Sequence, residues 1–176
     1  MTKQYDLIVI GTGAANIVTD AAARRGLHIA IVERGKFGGT CLNRGCIPTK
    51  ILVTPANCVR EIREAERIGV KAGTPSLDWR LVSDRLWKYL NAASPGTRNY
   101  YAAMDTIDIY EGTASFIGKK TLRIAMNDGT EAEIGAGKIV LGTGCRTNIP
   151  RLEGLEDAGY VTSESLFGDK IGRAHV

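Results

Sequence analysis

The sequence holds 176 residues, 44% of them hydrophobic and 24% charged, enough for one domain with a real core and an ordinary composition for a soluble protein. Its net charge of +4 is spread out with no basic run, which leaves nucleic-acid binding without support, and no apolar stretch approaches the ~20 residues that a membrane span needs. The first apolar run is only Leu7-Ile8-Val9-Ile10, too short for an export signal, so the chain reads as cytoplasmic and its four cysteines as catalytic, metal-binding or buried rather than as structural disulfides.

Tyr5 to Ile10 is predicted as a strand ending in Gly11-Thr12-Gly13. Ala14, Ile17, Val18 and Ala21 then recur at helical spacing, the apolar face of a helix that Gly26 closes. His28 to Val32 is a second strand, ending at Glu33. Together these form a strand–helix–strand unit with a glycine turn at its first corner. After a segment with two cysteines, Ile51 to Ile68 is predicted helical, with Gly69 as its stop. Asp78 to Leu90 is a second helix, with Val82, Leu86, Tyr89 and Leu90 on one face. Pro95-Gly96 is expected to break or kink it, and Thr97 to Ala103 to resume it. Trp79, Trp87 and the tyrosines of this region read as packing residues. Ile107 to Tyr110 is a strand, followed by three short ones at Ala114 to Ile117, Thr121 to Ala125 and Glu131 to Ile134. Gly118-Lys119-Lys120 and Asn127-Asp128-Gly129 are the turns between them. Lys138 to Leu141 is the last strand and runs into Gly142-Thr143-Gly144.

Two motifs carry chemistry. Gly11-x-Gly13-x-x-Asn16 is a dinucleotide fingerprint whose third glycine is replaced. Its first two glycines permit a tight turn and close approach of a pyrophosphate to a helix N-terminus. Asn16 requires looser packing there, or a side chain turned outward. Glu33, twenty-two residues after Gly11, sits where an acid would hold ribose hydroxyls. An ordinary strand–turn–helix corner is the competing reading, and the surrounding strand, helix and acid disfavour it.

The second motif is Gly38-Gly39-Thr40-Cys41-Leu42-Asn43-Arg44-Gly45-Cys46-Ile47-Pro48-Thr49-Lys50. Residues five apart in regular helix rise ~7.5 Å, whereas a disulfide tolerates at most ~7 Å between Cα atoms. Cys41 and Cys46 can therefore bond only if the backbone between them is not regular helix, and Gly45 and Pro48 supply the irregularity. Regular helix is expected to begin near Ile47 or Pro48. Cys46 then lies at a helix N-terminus, where the dipole favours its thiolate. Lys50 and Arg44 add positive charge. Two buried cysteines, or half a zinc site, are the rival readings. Neither accounts for the flanking Gly38-Gly39-Thr40 and Pro48-x-Lys50, and zinc would need further ligands from Cys58, Cys145 and two histidines. No metal is therefore assigned. Cys58 reads as a buried small hydrophobe and Cys145 as a structural position. Arg44 either tunes a thiol, meets an acidic substrate or is simply a solvated arginine.

The thirteen-residue segment resembles the redox-active segment of the FAD-dependent pyridine nucleotide–disulfide oxidoreductases, a family that includes dihydrolipoamide dehydrogenase, glutathione reductase, mycothione reductase and mercuric reductase. The resemblance runs from about Tyr5 to Lys170, and Gly142-Thr143-Gly144 resembles the family turn that approaches the flavin nucleotide. It implies an α/β fold: a Rossmann-like FAD-binding domain, a parallel sheet with helices, carrying a small antiparallel β-meander. It implies that Gly11, Gly13, Ala14, Glu33, Arg34, Gly39 and Thr40 hold FAD, with Gly112, Thr113, Ala114, Thr143 and Gly144 nearby. It also implies that Cys41 exchanges with the substrate, that Cys46 is the inner thiolate beside the flavin, and that Lys50 sits near the flavin's reactive nitrogen. Electrons would pass between NAD(P)H, FAD, a Cys41–Cys46 disulfide and a small-molecule or protein-bound disulfide or dithiol, of the kind used by dihydrolipoamide dehydrogenase or mycothione reductase. A flavin oxidase on the same fold, without dithiol chemistry, is the alternative within the class.

The resemblance also implies parts that are not found here: a second glycine fingerprint for NAD(P)H, the Gly-Asp flavin motif, and the His–Glu pair of a dimerisation domain. His28 and His175 do not match that histidine. The expected division is residues 1–150 as the N-terminal part of an FAD-binding domain and 151–170 as the lead-in to an NAD(P)H domain. The parent protein is then a homodimer, and this chain a catalytically inactive FAD-binding fragment. Ile171 to Val176 back-translates to the start of a common sequencing adapter and is expected to be a non-native tail.

Overall fold

The computed structural model describes residues 2–167; the expected non-native tail at 171–176 lies outside them. The chain forms two compact units, residues 2–40 with 93–145 and residues 41–92 with 146–167.

The first unit is built on five strands. These are β1 (Lys3–Ile10), β2 (Ile29–Glu33), β3 (Ile107–Gly118), β4 (Thr121–Met126) and β5 (Glu131–Leu141). β1 pairs in parallel with β2 and β5, β2 in parallel with β3, and β4 antiparallel with both β3 and β5, so the pairing closes on itself. The continuous apolar runs of β1 and β2 are explained by burial on both faces. Leu7, Val9, Ile29 and Ile31 face one core with Ala15, Ala22, Phe37 and Tyr101. Ile8, Ala30 and Val32 face another, completed by Leu122, Ile124 and Ile134. The result is the expected α/β fold with a mixed parallel and antiparallel sheet.

Two boundaries expected from the sequence do not exist. The strands expected at 107–110 and 114–117 are one strand, β3, and those expected at 131–134 and 138–141 are one strand, β5. Each changes partner at a glycine instead of ending there. β3 pairs with β2 up to Glu111 and with β4 from Gly112. β5 pairs with β4 up to Gly135, where pairing with β1 is already under way. The absence of a side chain is what matters at Gly112, which faces backbone, whereas Gly135 faces only the end of the Gln4 side chain. A Cβ on Gly112 would lie 2.3 Å from the Ala125 carbonyl oxygen, and one on Gly135 would lie 2.7 Å from the Gln4 side chain.

The helix after the first turn, α1 (Asn16–Ala23), buries a different face from the expected one. Ala15, Thr19 and Ala22 are inside, whereas Ile17 and Val18 are 75% and 41% exposed. Small residues win because the helix starts hard against the last strand. A Cβ on Gly142 would meet that of Ala15 at 2.5 Å.

In the second unit, α3 (Cys46–Glu64) passes into a 3-10 turn at Ala65–Ile68 and stops at Gly69, whose φ of 85° is the left-handed cap expected from sequence. The helix α4 (Trp79–Ala102) is continuous through Pro95-Gly96, so of the expected break or kink the break does not occur, and it contributes residues to both units. Proline there removes one N–H donor and costs about 3 kcal/mol of helix propensity. Burial of Ser94 and Tyr101 on either side, with the Tyr101 hydroxyl donating to Asp20 at 2.8 Å, offsets that cost. Leu86 and Leu90 form the core of the second unit with Phe167, and Ile51, Leu52 and Trp87 pack on it. Tyr89, expected inside, is 48% exposed, and Trp79 and Tyr100 are exposed as well.

Gly112→Ala should destabilise the chain by about 1–3 kcal/mol through overlap with the neighbouring strand, read as a lower midpoint in urea unfolding. Wild-type stability in that variant would mean that β3 is not one bent strand.

Candidate active site

Three glycine turns of the first unit meet backbone to backbone. The first is Gly11-Thr12-Gly13, where the N–H of Gly11 donates to the Val32 carbonyl at 2.8 Å. The second is Gly38-Gly39, and the third is Gly142-Thr143-Gly144, where the N–H of Gly142 donates to the Ile10 carbonyl at 2.8 Å. Gly11 has a φ of 97°, and a Cβ on it would sit 2.2 Å from the Gly142 oxygen; Gly39 has a φ of 59°, and its Cβ would sit 2.5 Å from Gly13 Cα. No side chain fits between these turns, and their main-chain groups stand at the start of α1.

One threonine and one carboxylate hold the turns in place. Thr12 is 1% exposed. Its N–H and hydroxyl both donate to Glu33 Oε2, at 3.0 and 2.8 Å, and the hydroxyl accepts from the Gly38 N–H at 3.1 Å. Glu33 Oε1 accepts from the Gly35 N–H at 2.9 Å. Glu33, expected to hold ribose hydroxyls, is thus also the clamp between the first turn and the end of β2. Asn16 is not turned outward: its Oδ1 is enclosed and has no hydrogen-bond partner among the described residues. A side-chain-free cradle of main-chain groups, a carboxylate at its edge and an unsatisfied acceptor beside it fit a dinucleotide. FAD held there would supply two-electron chemistry from its ring.

The other sequence-predicted binding residues are dispersed around this cradle or apart from it. Ala14, Arg34, Thr40, Thr143 and Gly144 are exposed. Thr143 comes within reach of Gly11, its nitrogen 3.5 Å from where a Gly11 Cβ would be. Arg34 is tied by its carbonyl, which accepts from Asn127 Nδ2 at 3.3 Å, while the N–H of Asn127 donates to the Glu111 carbonyl at 2.8 Å. Gly112, Thr113 and Ala114 lie on β3 at its change of partner. Thr12 and Asn127 are the residues that sequence reading passed over. Thr12 occupied a free position in the glycine pattern, and Asn127 was read only as a turn former.

The dithiol lies in the second unit. Cys41 sits on a short helix, α2 (Gly39–Arg44), and Cys46 is the first residue of α3. Between them Gly45 leaves helical conformation, with φ −132° and ψ −110°. The expected break is therefore present, although helix resumes one residue before the predicted Ile47. Pro48 is fully buried in the first turn of α3. All four cysteines are free and exposed. The Cys41 thiol is held above its ordinary value, chiefly by its hydrogen bond to Cys46 and also by desolvation and the Cys46 charge. A backbone hydrogen bond from Cys46 and the Lys50 ammonium act the other way. Attack from the Cys41 sulfur therefore requires a base to take its proton. Cys58 is exposed, which corrects the expectation of burial: the packed positions of α3 are Ile51 and Leu52, and Pro48 is its only buried residue. Cys145 is exposed just past the third glycine turn.

The pyridine nucleotide-disulphide oxidoreductase family model matches residues 5–173. A mercuric reductase of Streptomyces lividans is 37% identical over 168 residues, covering 93% of this chain and 35% of that protein. A mycothione reductase of Mycobacterium tuberculosis is 34% identical over 172 residues, covering 94% of this chain and 36% of that protein. A dihydrolipoyl dehydrogenase of Bacillus subtilis is 36% identical over 128 residues, covering 71% and 28%. Among solved structures, the HOCl-induced flavoprotein disulfide reductase RclA from Escherichia coli matches with a TM-score of 0.73 and 28% identity, over 93% of this chain and 34% of its own. The chain spans about a third of the length of these proteins.

Cys46→Ala should lower the pKa of Cys41 towards the ordinary thiol value, because the hydrogen bond and charge that raise it are gone. Lys50→Met should raise it further. The pH dependence of iodoacetamide alkylation at Cys41 reads both, and shifts of the opposite sign would contradict the arrangement. Thr12→Val, which keeps the volume and removes the hydroxyl, should cost about 1–3 kcal/mol of stability by leaving the Glu33 carboxylate and the Gly38 N–H short of a partner. A neutral result in urea unfolding would contradict the clamp.

Proposed function

The chain belongs to the pyridine nucleotide-disulphide oxidoreductase family, and on that premise we propose that it carries the FAD-binding and dithiol parts of a flavoprotein that moves electron pairs between NAD(P)H, FAD and a disulfide or dithiol substrate. The observation that carries this reading is the Cys41–Cys46 pair, hydrogen-bonded across the break at Gly45 and following Gly39-Thr40 directly in sequence. Cys41 would exchange with the substrate and Cys46 would close the intramolecular disulfide. Lys50 would set the local charge, and Gly11, Gly13, Ala14, Glu33, Arg34, Gly39, Thr40, Gly112, Thr113, Ala114, Thr143 and Gly144 would bind or line the cofactor. The relatives named dihydrolipoyl dehydrogenase and mycothione reductase support a substrate of one of those two kinds, a small or protein-bound disulfide. The whole protein would act as a cytoplasmic homodimer, with a second subunit supplying the base that Cys41 needs.

A second reading concerns the chain by itself. Its sequence holds a single glycine fingerprint of the dinucleotide type, at Gly11 to Asn16. We assign it FAD binding without NAD(P)H turnover.

FAD added to the purified chain should lose fluorescence as it binds. Gly39→Ala should weaken binding about tenfold or more, since the added methyl overlaps Gly13 and such overlap costs ~1–3 kcal/mol. Failure of the folded wild-type chain to bind FAD would sink the cofactor assignment. NAD(P)H-dependent reduction of a disulfide by this chain would overturn the second reading.

A further inference from the structure

Arg44 lies between the two cysteines. It is the last residue of α2, three positions after Cys41, so the two share a helix face. Lys50 stands in the same relation to Cys46, four positions later on α3. Each thiol therefore has a cation about one turn away. From 41 to 60 the sequence contains Arg44, Lys50 and Arg60 and no acid. The two near cations act differently. Lys50 is the one whose charge bears on the Cys41 thiol. The Arg44 guanidinium is directed at Glu164 instead, with 3.8 Å between its Nη1 and Oε1, and both side chains are nearly half exposed. Glu164 is itself held in place. It lies in the first turn of a short helix, α5 (Ser163–Ser165), whose start is fixed by reciprocal hydrogen bonds between Thr162 and Ser165.

An exposed ion pair of that length is weak and easily exchanged. A solvent-facing arginine offers a planar fork suited to a carboxylate. We propose that Arg44 selects anionic disulfides. Its guanidinium receives a carboxylate of the substrate one helical turn from Cys41, and Glu164 occupies that place when no substrate is there. The inference rests on the dithiol reading above and adds the charge class of the substrate. The step balances. The Cys41 sulfur, deprotonated, attacks one sulfur of the substrate disulfide and releases the other half as a thiolate. Cys46 then attacks the Cys41 sulfur of the mixed disulfide and releases the second thiolate. The dithiol is oxidised by two electrons and the substrate disulfide is reduced by the same two.

The test uses the full chain, reduced beforehand, and three aliphatic disulfides: dithiodipropionate (anionic), hydroxyethyl disulfide (neutral) and cystamine (cationic). Exchange rates are read by acid quench and mass spectrometry and normalised to those of free dithiothreitol. The wild type should prefer the anionic probe over the neutral one, and the neutral over the cationic. Arg44→Gln should lower the anionic-to-neutral ratio roughly fivefold, the factor a unit charge a few ångströms away exerts in water. Glu164→Gln should raise that ratio, and added salt should reduce it in the wild type more than in Arg44→Gln. Equal ratios in the wild type and Arg44→Gln, or a fall in the ratio for Glu164→Gln, would overturn the selectivity while leaving the dithiol reading intact. Absence of exchange with every probe would overturn the dithiol reading, and this one with it.

Discussion

The first unit depends on a contact in which no side chains take part: three turns that touch through bare backbone. Gly11 against Gly142 and Gly39 against Gly13 leave no room for a Cβ, and this closeness dictates much around them. It requires a small residue at Ala15 and turns the larger Ile17 and Val18 outward. It also brings main-chain N–H groups of separate segments to the start of α1, where an anion is favoured. Glycine turns are costly to fix, because glycine loses the most freedom on folding. The buried Thr12, bonded at once to Glu33 and Gly38, is the polar clamp that keeps them in one arrangement. Glu33 therefore serves structure before any ligand is present.

The second unit solves a different problem, which is to bring two sulfurs five residues apart together without losing helix on either side. Gly45 does so by leaving helical space for one residue, so that α2 and α3 each present one cysteine. Pro48, buried in the first turn of α3, fixes where the second helix starts. The hydrogen bond to Cys46 then holds the Cys41 thiol above its ordinary value. A thiol so held reacts once a base takes its proton, an arrangement suited to a reversible carrier of two electrons.

Most of this was legible in the sequence where chemistry constrains spacing. The glycine fingerprint, the acid at Glu33, the broken helix between Cys41 and Cys46 and the left-handed stop at Gly69 all follow from local rules, and the structure has them. The readings that failed share a cause. Gly112 and Gly135 look like strand ends, but the strand continues through each as it changes partner, and at Gly112 the neighbouring strand comes too close for a side chain. Pro95 looks like a break, but packing of Ser94 and Tyr101 carries the helix through. Ile17 and Val18 look like a buried face, but Ala15 lies against Gly142 and the buried side is that of Ala15, Thr19 and Ala22. In each case a long-range contact overrode a local preference. Such contacts leave no signature in a single sequence. Thr12 was missed for the same reason, since its partners are twenty-one and twenty-six residues away.

The account centres on Cys41 and Cys46 opening and closing as one unit. The direct test is a redox titration of the full chain in buffers of graded thiol–disulfide ratio, trapped by alkylation and resolved cysteine by cysteine by peptide mass spectrometry. The account predicts that Cys41 and Cys46 gain and lose label together in a single two-electron transition, while Cys58 and Cys145 remain labelled throughout. Independent titration of Cys41 and Cys46, or pairing of either with Cys58 or Cys145, would contradict it.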